Sequence, residues 1–166
     1  MPPPLAHLRV IDLTDLRGAL AARLLADLGA DVLRIERPAA TPAAVRASTH
    51  LFRNANKRRA AIESLDSAEG RAGFDELCAE ADVLFENLDP GERSRLGLAP
   101  DALRARHPHL VHVAIADFGL SGPRSGWRLE PLPAFAASGA LFASGLPDRP
   151  PCWLPGHAAH DCAAVF

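Results

Sequence analysis

Two short apolar runs, LRVIDL at residues 8–13 and DVLRIE at residues 31–36, bracket a segment whose leucines recur every three or four positions. Branched residues and flanking turn formers mark each run as a strand, and Leu20, Leu24, Leu25 and Leu28 predict a helix with one apolar face, Arg23 and Asp27 falling on the other. Gly29 stands where a helix end favours a left-handed residue. A strand, a helix and a strand joined this closely leave little choice: the two strands run parallel, through a right-handed crossover.

The pattern repeats. RRAAIESL reads as a weaker strand, Asp66 and Glu69 are spaced like a capping box, and Phe74, Leu77, Cys78 and Ala81 mark the buried face of the helix behind them. DVLFENL is a further strand, DPGE a turn, APDALRARHP a short helix stopped by Pro108, and HLVHVAIADFG the last clear strand. Such alternation predicts one α/β layered domain with a mostly parallel sheet. Ligands of these sheets sit beyond the carboxyl ends of the strands, which directs attention to residues 14–18, 37–47, 87–91 and 117–126. No GxGxxG follows the first strand, so a plain NAD-type site is unsupported.

Composition excludes several classes. A net charge of -2 provides no field for drawing in nucleic acid. Cys78, Cys152 and Cys162 are odd in number, far apart and free of any CxxC pair, which fits a reducing cytoplasm better than a disulfide framework. The N-terminus lacks the basic-then-apolar pattern of a secretory signal. The long uncharged stretch from Pro131 to Pro147 is interrupted by Pro133, Ser138, Gly139 and Gly145, a poor membrane span and a fair buried helix.

The final ten residues, HAAHDCAAVF, crowd His157, His160, Asp161 and Cys162 together, and a metal site, a catalytic carboxylate or a plain helix start would each account for them. Neighbouring helical positions point about 100° apart, so three adjacent ligands rarely converge on one ion, and no other His or Cys cluster offers a fourth. No metal is expected. Cys162 reads as a small buried filler, and His160 stands close enough to tune Asp161.

Four segments in register, LLADLGADV, NANKRR, ADVLFENLDPG and RLGL, resemble the N-terminal part of class III coenzyme A transferases, the CaiB/BaiF family. The resemblance runs from about Leu8 to the last residue and implies that residues 1–166 form an α/β, Rossmann-like, doubly wound domain, with helices on both faces of a mostly parallel sheet, that carries coenzyme A. Coenzyme A presents an adenine, a 3′-phosphate and a diphosphate, which suit guanidinium or ammonium groups and backbone N–H donors. Carried over residue by residue, the resemblance implies contacts from Asn54, Asn56, Lys57 and Arg58, from Asn87, Leu88 and Arg95, and from Arg34 or Arg37 at the end of the second strand. Read without it, NKRR is a solvated basic turn. No tightly bound cofactor is implied, coenzyme A being part of the substrate.

The resemblance also implies that Asp161 is the acyl-accepting carboxylate, since relatives place it after a Gly- and Pro-bearing loop, as in LPGHAAHD. A carboxylate is ionised at neutral pH and can attack a thioester carbonyl. A mixed anhydride forms, the coenzyme A thiolate leaves and returns to make an enzyme thioester, and an incoming carboxylic acid takes over the coenzyme A.

Three departures from the family pattern bear on this. The loop DLTDLRGALA reads Gly18-Ala19 where relatives have Gly-Pro. Racemases of 2-methylacyl thioesters on this scaffold use a histidine that falls near Glu130 here, and WRLEPLPAF contains none, which makes racemase the second reading. Family subunits are longer and interlock in pairs, so a homodimer or a complementary C-terminal half is the expected partner. A coenzyme A-binding module without catalysis is the third reading.

Overall fold

The computed structural model describes residues 1–37, 47–128 and 130–152. In chain order they form β1 (Arg9–Leu13), α1 (Ala19–Asp27), β2 (Asp31–Glu36), α2 (Ala47–Arg53), β3 (Arg58–Ala61), α3 (Ala68–Glu80), β4 (Val83–Glu86), α4 (Pro90–Arg95), α5 (Pro100–Arg106), β5 (Val111–Ala114) and α6 (Pro131–Ala137), followed by a short 3-10 turn at Ala140–Ala143. The strands make one sheet in the order β3-β2-β1-β4-β5, every neighbouring pair parallel. This is a Rossmann-like arrangement, and the order reverses between β1 and β4.

Alternation along the strands sorts side chains onto two faces. Ile11, Leu13, Ile35 and Leu84 join Phe74 and Cys78 of α3 and Leu103 of α5 in the larger core. Val10 and Val32 meet Ala22 and Ala26 of α1 on the other face. Leu13, Leu84 and Leu103 are almost fully buried, each contributing about 1.5–3 kcal/mol by leaving water.

Helix α1 uses a different face from the one its leucines predict. Ala19, Ala22 and Ala26 are buried, whereas Leu24 and Leu28 are 42% and 49% exposed. Small residues let the helix axis sit close to the sheet, and a leucine stripe would hold it away. Gly18 shows how tight the approach is: a Cβ there would lie 2.7 Å from both Ile115 Cδ1 and Thr14 Cγ2. Gly29 adopts φ +97°, the left-handed end that the sequence predicts.

Three further expectations are corrected. Helix α3 is capped by Ser67, whose hydroxyl accepts from Gly70 N–H at 3.0 Å, and not by Asp66. DPGE is not a simple turn but the start of α4, with Pro90 in the first helical turn, where its missing N–H costs nothing. The Pro131–Pro147 stretch holds no buried helix: Phe135 of α6 is buried, but Leu132, Phe142 and Leu146 face outward. Among the described residues, no helix is long and apolar enough to cross a membrane.

Candidate functional site at the carboxyl edge of the sheet

Among the described residues, each face of the sheet carries one buried carboxylate at the carboxyl ends of its strands. On the α1 face it is Asp12, fully buried. Its Oδ1 accepts Thr14 N–H at 3.0 Å and the Thr14 hydroxyl at 2.6 Å, and its Oδ2 accepts Lys57 Nζ at 2.7 Å and Arg34 Nη1 at 3.3 Å. Lys57 also donates to Ala19 O at 2.7 Å and Asn54 Oδ1 at 3.0 Å. Burial pulls its pKa below the usual lysine range, and the Asp12 carboxylate resists that shift.

On the α3 face the buried carboxylate is Glu86. Arg93 Nε donates to it at 2.7 Å, Leu88 N–H at 2.7 Å, and His112 Nε2 lies 3.0 Å away. Burial alone would push its pKa up; the hydrogen bonds from His112, Arg93 and the Leu88 N–H outweigh burial and hold it below the ordinary glutamate value.

Between them stand the loops of the switch point. The Asp15 N–H donates to Asn87 Oδ1 at 2.9 Å, and the Asn87 amide donates back to the Asp15 carboxylate. Arg17 bridges the same loop to the next one, reaching Asp15 at 3.0 Å, Asp117 at 3.1 Å and the Asn87 carbonyl at 3.4 Å. Burial works to raise the Asp15 pKa, but Arg17 and Asn87 lower it overall, so the carboxylate stays ionised at neutral pH. Loops after β1, β4 and β5 are thereby tied into one polar rim.

The eight described residues singled out from the sequence fall into three groups. Arg34, Asn54 and Lys57 come together around Asp12, beneath the loop 14–18. Asn87, Leu88 and Arg95 stand on the β4 side; Leu88 is buried, and Arg95 is half-exposed beside Asp66 and Glu92. Asn56 and Arg58 lie toward the amino-terminal edge, Asn56 on Asp27 and Arg58 on Asp31, the first residue of β2, at 2.7 Å. Arg37 pairs with Glu92 at 2.5 Å, which brings the ends of β2 and α4 together. Asp161, His157, His160 and Cys162 lie outside the described residues. Glu130 is exposed at the start of α6.

Asp12, Arg17, Glu86, Arg93 and Asp117 went unnoticed in the sequence. Two of them left a signal: Asp12 follows Val10 and Ile11, and Glu86 follows Val83, Leu84 and Phe85, and a charge directly behind such an apolar run needs a partner. A cleft of about 420 Å³, lined in part by Leu103, Arg104, Leu110, His112 and Leu120, opens beside the edge strand β5 and away from the switch point. Among the described residues, no group of three or more His, Cys, Asp or Glu could hold a metal ion.

The chain matches the family described as CoA-transferase family III over residues 5–165. It is 33% identical over 173 residues to the succinyl-CoA:(R)-benzylsuccinate CoA-transferase subunit BbsE of Thauera aromatica, covering 97% of this chain and 42% of that protein. It is 35% identical over 168 residues to the succinyl-CoA–L-malate CoA-transferase alpha subunit of Chloroflexus aurantiacus, covering 93% and 38%. Among solved structures it superposes on a CaiB/BaiF family protein from Brucella suis with TM-score 0.88 at 27% identity, covering 99% of this chain and 48% of that one. The chain thus spans less than half the length of these relatives. A parallel sheet in the order β3-β2-β1-β4-β5, a polar rim at its switch point and a sequence match over nearly the whole length agree, and the chain belongs to CoA-transferase family III.

Proposed function

We propose that this chain is the nucleotide-carrying part of a coenzyme A transferase, moving coenzyme A between an acyl-CoA and a carboxylic acid. The observation that carries the reading is the rim at the β1–β4 switch point, where Asn87 and Asp15 exchange hydrogen bonds, in a chain of this family. Asn87, Leu88 and Arg95 are the groups assigned to the nucleotide. Arg95 is exposed enough to turn toward a phosphate, and a guanidinium can meet one through two parallel hydrogen bonds.

Asp161 is assigned the covalent step. Its carboxylate attacks the thioester carbonyl, the C–S bond breaks, and the coenzyme A thiolate leaves a mixed anhydride behind. The thiolate attacks the aspartyl carbonyl, which releases the donor acid and forms an aspartyl thioester. The acceptor carboxylate attacks that carbonyl and expels the thiolate again. Attack of the thiolate on the new acyl carbonyl yields the product thioester and regenerates Asp161. The nucleotide handle keeps the thiolate at hand throughout, so each return is effectively intramolecular. A second copy or a complementary polypeptide is the proposed partner; the relatives from Chloroflexus aurantiacus are named as alpha and beta subunits.

Incubation with acyl-CoA esters followed by hydroxylamine tests the assignment. Mass spectrometry is expected to find a hydroxamate on the peptide holding Asp161, absent in Asp161→Asn. An unmodified peptide in a protein that still turns over thioester overturns it.

A further inference from the structure

We propose that Lys57, Arg34 and Arg53 are positioning residues that hold the loop 14–18 from its protein side, and that Lys57, the single lysine of the chain, never touches the nucleotide. The inference rests on the reading that this loop lines a coenzyme A crevice.

Three cations from three different parts of the chain take three carbonyls of one short segment. Arg34 Nη1 donates to Thr14 O at 3.0 Å, Arg53 Nη1 to Leu16 O at 3.0 Å, and Lys57 Nζ to Ala19 O at 2.7 Å. Arg34 and Arg53 are buried, and the Lys57 side chain is at 0% exposure. An ammonium group has three donors, and Lys57 spends them on Asp12, Ala19 and Asn54. To reach a phosphate it would have to leave Asp12 Oδ2 with the 3.3 Å contact from Arg34 as its remaining cation. Arg34 supports the same view: its Nε is buried without a hydrogen-bond partner among the described residues, a cost tolerated while Nη1 serves both Thr14 and Asp12.

The consequence is directional. With the carbonyls of Thr14 and Leu16 drawn toward the interior, the intervening Asp15 and the following Arg17 are set toward Asn87 and Asp117 across the crevice. Gly18 completes the constraint, since no side chain fits where the loop enters α1. The segment NANKRR then serves as an internal brace for a ligand loop.

The test uses Lys57→Met, the double variant Asp12→Asn/Lys57→Met, which removes the orphaned charge should the single variant not fold, and Lys57→Arg. Backbone hydrogen exchange of residues 14–19 is compared with that of α3, and affinity for coenzyme A with that for 3′-dephospho-coenzyme A. The brace predicts that the double variant exchanges about tenfold faster in residues 14–19 while α3 is unchanged. It also predicts that both ligands weaken by one common factor, on the order of ten- to a hundredfold, and that Lys57→Arg recovers part of the loss. Unchanged exchange in the loop, exchange raised equally everywhere, or selective loss of the preference for the 3′-phosphate would each overturn it. Should the unaltered protein bind neither ligand, the coenzyme A reading fails, and the exchange data still decide the brace.

Discussion

Arg93 Nε lies 2.7 Å from Glu86 Oε1, with the Arg93 side chain 6% exposed and that of Glu86 fully buried. The same guanidinium donates to Leu88 O at 2.7 Å, so one side chain ties the end of β4 to α4. This explains why DPGE begins a helix: Arg93 reaches back to a carboxylate seven residues earlier only if the intervening chain coils. Removing Arg93 leaves Glu86 buried with His112 as its remaining side-chain partner. Arg93→Met is expected to cost about 3–5 kcal/mol in urea unfolding, and Glu86→Gln/Arg93→Met distinctly less.

Acid stability follows from the same pair. The folded pKa of Glu86 is below its ordinary value of 4.5, and that of Asp15 below 3.8. A carboxylate with a depressed folded pKa stabilises the protein above its unfolded pKa and loses that contribution as pH falls through the folded one. Unfolding free energy is therefore expected to fall on acidification from about pH 5 downward, and Glu86→Gln to flatten that slope. A titration of urea midpoints checks both.

Two glycines of α3 predict opposite signs. A Cβ on Gly70 would lie 2.0 Å from the Ser64 carbonyl oxygen, whereas one on Gly73 meets nothing within 4 Å. Gly70→Ala is expected to destabilise by about 1–3 kcal/mol through backbone displacement. Gly73→Ala should stabilise by up to about 1 kcal/mol through helix propensity. Thermal midpoints of the two variants, measured side by side, decide.

Arg95 and Asn87 separate binding from stability. Arg95 is half-exposed, so Arg95→Ala should leave unfolding within about 0.5 kcal/mol of the parent while coenzyme A affinity drops about tenfold. Asn87→Ala breaks the tie to Asp15 as well, and both quantities should fall. Calorimetric titration with coenzyme A beside urea unfolding reads the difference.

Cys78 is buried and its thiol is pushed up to about 12 by desolvation, while Cys152 is exposed. At pH 8 an aromatic disulfide reagent should label Cys152 promptly and Cys78 only at the rate of unfolding. Peptide mapping of partially labelled protein checks the order.

The strands, helices α1, α3 and α5 and the parallel sense of the sheet were legible in the sequence, because period-two and period-3.6 patterns are local and each strand–helix–strand unit has one favoured hand; α2 was not read, and α4 passed for a turn. The family was legible too, from NANKRR and ADVLFENLDPG taken in order. Which face of α1 is buried was not: Leu24 and Leu28 outrank Ala22 and Ala26 in hydrophobicity, but closeness of approach to the sheet chose the alanines. The fate of Lys57 was equally hidden, since a basic turn and a buried brace have the same letters. Only the pairing of β1 with β2 and β4 brings Asp12 under Lys57 and Asn87 across from Asp15. Contacts across 45 and 72 positions of chain depend on how elements stack, and no periodicity along the sequence encodes that distance.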